Sequence, residues 1–75
     1  LQNHPEEALS ELRQAYEAGD PDAELYLYMG LAFMALEQPE KAAAAFESAL
    51  ALSNDPALIQ LAQYHLQKIE GGALP

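Results

Sequence analysis

The chain has 75 residues, 51% hydrophobic and 20% charged, and twelve acidic residues against three basic ones give it a formal charge of −9. Such a charge repels phosphate backbones and anionic headgroups, which argues against nucleic acid and membrane surfaces as partners. With no cysteine and only His4 and His65, far apart in sequence, there is no disulfide framework, no thiolate chemistry and no metal-ligand spacing.

A chain of this length makes one domain, 1–75, with a single core, and buries only about 60% of its unfolded surface. Its bias toward Ala, Leu, Glu and Gln, with little Val, Ile or Thr, predicts an all-α chain. No signal peptide, lipidation box or targeting tail is visible, and a chain that opens at Leu1 without methionine reads as a piece of something longer. Prolines at positions 5, 21, 39 and 56 each precede an apolar periodic segment. There the fixed φ suits a first helical turn and the missing N–H removes no helix bond. Helices are therefore predicted over 5–18, 21–36, 39–53 and 56–70. His4, Asp20, Gln38 and Asp55 stand at the cap positions, Gly19 and Gly71 are expected as C-terminal stops, and 71–75 reads as a tail. Glu6, Glu7, Asp22, Glu24 and Glu40 fall in first turns, where carboxylates favour the positive end of the helix dipole. Connections of two or three residues make neighbouring helices antiparallel.

The first helix carries Ala8, Leu9, Leu12, Ala15 and Tyr16 on one stripe, with Glu7, Glu11, Arg13, Gln14 and Glu17 largely outside it. The second contains twelve consecutive uncharged residues between Glu24 and Glu37. At about 18 Å that run is too short for a bilayer core, so it is a helix that meets protein on more than one side. Tyr26, Met29, Gly30 and Phe33 form one face, and Leu27, Leu31 and Met34 another. In the third helix alanines dominate around Phe46, and small side chains let a neighbouring axis approach closely. The fourth alternates Leu58, Ile59, Leu61, Ala62, Leu66 and Ile69 with glutamines, apolar inside and polar outside.

Nothing in this pattern builds a reaction site. His4 precedes a helix-initiating proline, and His65 has no Cys, Ser or carboxylate near it in a catalytic arrangement. Glu6, Glu7, Glu37 and Glu40 read as helix-end electrostatics rather than acid–base pairs, and there is no glycine-rich phosphate loop. The chain is expected to be non-enzymatic, without metal or cofactor.

An internal repeat links the two ends. A shift of 34 residues lays Pro5-Glu6-Glu7-Ala8 on Pro39-Glu40-Lys41-Ala42, Leu12 on Phe46 and Ala15 on Ala49, which points to stacked helix pairs that cannot hide their apolar faces alone. With Tyr26, Met29-Gly30, Phe33, Leu36, Ala42, Phe46, Ala49 and Asp55-Pro56 in this order, the chain resembles the tetratricopeptide repeat. The resemblance implies antiparallel helix pairs stacked as a short right-handed superhelix. Residues 1–20 would supply the second helix of a partial repeat, 21–55 one complete repeat, and 56–70 a following or capping helix in which Tyr64 or His65 stands where Gly30 does. It also implies that Gly30 packs against Ala42. The groove that receives a partner's peptide or helix would be formed by Glu24, Leu27, Tyr28, Leu31, Met34 and Ala35. Members that grip an acidic C-terminus place Lys, Arg or Asn where Leu27 and Leu31 stand, so an apolar or amphipathic ligand with basic residues is expected here.

The expected function is thus a protein–protein interaction module. Left uncovered, Leu27, Leu31 and Met34 would form a costly patch, each worth about 1.5–3 kcal/mol on removal from water. A peptide ligand, a second copy of the chain or further residues of a longer parent could each cover them. Self-association or intrachain packing is the alternative function, motivated by Leu9, Leu12 and Tyr16 lying open at the N-terminal end.

Overall fold

The computed structural model describes residues 4–19 and 21–72. Among these residues there are four helices, α1 (Pro5–Ala18), α2 (Ala23–Ala35), α3 (Pro39–Leu52) and α4 (Pro56–Gly72), and the fold is all-α. Each helix packs on its neighbour in sequence, and α2 also touches α4.

Pro5, Pro39 and Pro56 open their helices as the sequence predicts. His4 and Gln38 make no side-chain cap bond, so these starts rest on proline and the first-turn acids Glu6, Glu7 and Glu40. At α4 the Asp55 carboxylate accepts from the Ala57 N–H at 3.0 Å, while the Ser53 hydroxyl accepts from the Asp55 N–H at 3.0 Å. The second helix begins two residues later than expected. Pro21 lies outside it, and Asp22, extended at φ −112°, accepts from the Leu25 N–H at 2.9 Å. A carboxylate that reaches the donor three residues on outweighs the proline as a start signal. Asp20, the expected cap, lies outside the described residues.

Gly19 ends α1 where a stop is expected, whereas Gly71 does not end α4. Gly19 follows α1 in an extended conformation, and α4 runs through Gly71 to Gly72. The left-handed stop belongs instead to Glu37, at φ 60°. Its N–H donates to the Met34 carbonyl at 3.0 Å and the Gln38 N–H to that of Phe33 at 2.9 Å. This crossed pair closes the last turn of α2 and throws the chain back into α3. Residues 73–75 of the expected tail lie outside the described residues.

The core is assembled around α3. Ala42, Phe46 and Ala49 are fully shielded, with Leu9, Leu27, Ala32, Phe33, Ala45 and Ala62 buried around them. Phe46 is the large side chain at the centre. A Cβ built on Gly30 would stand 2.6–2.8 Å from its ring carbons, so the missing side chain of α2 is what admits the ring. Phe46, rather than the expected Ala42, therefore takes the space at Gly30. From α4 the His65 imidazole stacks on the same ring, with centroids 5.1 Å apart and planes 8° from parallel. A planar side chain thus serves in α4 where α2 needs glycine. Two further expectations change: Leu9 is buried rather than open, while Leu61, expected on the inner side of the fourth helix, is about half exposed.

Candidate functional site

A cleft of about 650 Å³ runs between α1 and α2, within the size range of sites that take ligands. Pro5, Ala8 and Leu12 line it from α1, and Tyr28, Leu31 and Ala35 from α2. The two helices run antiparallel: Pro5 lies opposite Ala35 at one end, and Tyr16 meets Tyr26 edge-on at 6.0 Å near the other. Ala8, Tyr28 and Ala35 are exposed, Leu12 and Leu31 half-buried. Tyr28 keeps 51% of its surface in water, a large exposure for an aromatic ring.

Of the groove residues expected from the sequence, Tyr28, Leu31 and Ala35 are brought together in this cleft. Glu24 is exposed and lines a smaller cleft of about 290 Å³ with Ala15, Asp22, Leu25 and Tyr28. Leu27 is not available to a ligand, because only 6% of it is exposed. Met34 is half-buried and packed against the core. The physical reason is angular. At about 100° per residue, Tyr28, Leu31 and Ala35 span roughly 60° of the helix circumference, whereas Leu27 and Met34 lie about 40–60° beyond Leu31 on the inward side. A stripe read as one face is therefore divided, its inner edge closed by the rest of the chain.

The groove expected from the sequence includes no residue of α1: Ala8 and Leu12 belong to the apolar stripe of that helix, with Leu12 expected open at the N-terminal end. The 34-residue shift carried the signal. Ala42, Phe46 and Ala49 lie on α3, which packs against both α2 and α4, while their counterparts Ala8, Leu12 and Ala15 lie on α1, which packs against α2 alone among the described elements.

The charged groups around the cleft are unbalanced. Glu11 lines it and no lysine or arginine does. Lys41 Nζ lies 6.0 Å from the Phe33 ring centre and Lys68 Nζ 5.3 Å from that of Tyr64, both away from the cleft. His65 is a packing group here. Burial, followed by the charge of Lys68, lowers its pKa below the ordinary histidine value and so favours the neutral form of the stacked imidazole. Among the described residues no cluster of His, Cys, Asp or Glu could hold a metal ion, no buried side-chain polar atom lacks a partner, and no helix is long and apolar enough to cross a membrane. Comparison with known proteins returns no match, whether to a family model, a curated protein or a solved structure.

Proposed function

We propose that this chain is a non-enzymatic interaction module, tetratricopeptide-like in organisation, which receives a peptide or helix of a partner protein in the cleft between α1 and α2. The observation that carries this reading is the open apolar cleft with Tyr28 half in water beside Leu31 and Leu12. Apolar surface left this way is costly for a small domain unless a partner covers it. The acid-rich surface and Glu11 in the cleft favour an amphipathic or basic ligand over an acidic one.

The test is affinity capture with the wild-type chain and with Tyr28→Ser and Leu31→Ser side by side, followed by calorimetric titration of each captured protein. A partner retained by wild type and lost from both variants, while the melting temperature is kept, supports the reading. Equal retention by all three proteins refutes it. The rival reading is self-association or packing within a longer chain; the exposed Tyr16 and Tyr28 motivate self-association, and sedimentation over a concentration series tests it, a strict monomer eliminating self-association.

A further inference from the structure

The interaction reading can be taken further, because the repeat within the chain describes what is missing from the cleft. Under the 34-residue shift α1 corresponds to α3 and α2 to α4. Thus α2 covers α1 as α4 covers α3, and the cover that α2 gives α3 has no counterpart on α1. The consequence is visible residue by residue: Ala42, Phe46 and Ala49 are fully buried, whereas Ala8 and Ala15 are exposed and Leu12 is half-buried. The unfilled position lies against Ala8 and Leu12 and beside Tyr28 and Leu31, which is where the cleft is found.

Resting on the reading proposed above, we infer that the cleft docks a single amphipathic helix of a partner protein, antiparallel to α1, with a small residue against Leu12 and lysine or arginine along its edges. The direction follows from the antiparallel α2–α3 pair. The small residue follows from Gly30, whose lack of a side chain admits the Phe46 ring; Leu12 is slimmer than Phe46, so alanine as well as glycine fits. The basic edges follow from Glu11, which lines the cleft, from Glu7, exposed one turn before it on α1, and from the cleft's lack of lysine and arginine; Glu6 and Arg13 face a separate cleft with Leu9 and Leu36. A second copy is the poorer occupant. Each copy carries −9, and the exposed face of α4 sets Gln60, Gln63, Gln67 and the bulky Tyr64 around a single exposed leucine, Leu61, rather than an apolar stripe with a small centre.

The test titrates the whole chain with three synthetic peptides of 14 residues, the length of α1, while the backbone amide signals of Ala8, Leu12 and Tyr28 are followed by NMR. One peptide is an Ala/Leu helix with a central glycine and flanking lysines, the second replaces lysine by glutamate, and the third keeps the lysines but carries two internal prolines. The lysine helix is expected to shift these signals and to bind at least about tenfold more tightly than the glutamate version. Ala8→Arg, at an exposed position, should keep the melting temperature and abolish binding, and Ala57→Arg, exposed on α4, should leave it unchanged. Equal binding of the proline-broken peptide at the same signals overturns the helical occupant but leaves the interaction module standing. Absence of shifts with all three peptides overturns the helical occupant, and the module is then judged by the capture experiment. A wild-type dimer that Ala8→Arg dissociates assigns the cleft to a second copy and overturns the inference.

Discussion

The imidazole of His65 on α4 lies parallel to the Phe46 ring of α3 at 5.1 Å between centroids, so that one fully buried phenylalanine joins α4 to the Gly30 side of α2. This contact makes stability depend on a proton. Burial and Lys68 lower the His65 pKa in the folded state, whereas the unfolded chain protonates near the ordinary value of about 6.5. The unfolded state therefore binds more protons between the two values. The stabilising contribution is complete above about pH 6.5 and is lost as pH falls toward the folded-state pKa. Thermal melts from pH 7.5 to 5 should show a falling midpoint for wild type, and His65→Phe should lack that component. An unchanged pH profile in the variant would remove His65 as its source.

Gly30→Ala places a Cβ within 2.6–2.8 Å of the Phe46 ring. Alanine gains about 1 kcal/mol of helix propensity over glycine, but the ring is enclosed, and overpacking of this kind costs about 1–3 kcal/mol. We expect net destabilisation in urea unfolding. Phe46→Leu in the Gly30→Ala background should cost less than Phe46→Leu alone, a coupling measured by a double-mutant cycle.

Glu37 holds a left-handed φ of 60° at the α2–α3 turn. Cβ–carbonyl crowding in that conformation costs a non-glycine residue about 1–2 kcal/mol, partly offset by the extra entropy that glycine loses on folding. Glu37→Gly should raise stability by about 0.5–1 kcal/mol, and Glu37→Val, β-branched, should lower it. Differential scanning calorimetry reads both changes.

Leu27 and Tyr28 are adjacent in sequence and opposite in consequence. Leu27→Ala removes a buried side chain and should cost about 2–4 kcal/mol. Tyr28→Ser, at a half-exposed ring, should cost less than about 0.5 kcal/mol while removing partner binding. Chemical denaturation of the two variants, read beside a binding titration, checks the division of the α2 surface.

What could be read from the residues alone was whatever depends on local chemistry and period. Prolines, first-turn acids and apolar spacing located the four helices, and the 34-residue shift related α1 to α3. Local competition then moved one boundary, since Asp22 captured the Leu25 N–H and left Pro21 outside α2. At the end of α2, where no glycine stands, Glu37 takes the left-handed conformation, because backbone direction at a turn is set by the packing of α2 on α3 as well as by intrinsic preference. Side-chain facing needed the tertiary structure. A helical stripe as wide as that of α2 is divided only once neighbouring helices are placed, and their placement put Leu27 inside, left Tyr28 in water and directed the Gly30 space to Phe46. Sequence period specifies angles around one helix axis; only the relative positions of several axes decide which of those angles meet water.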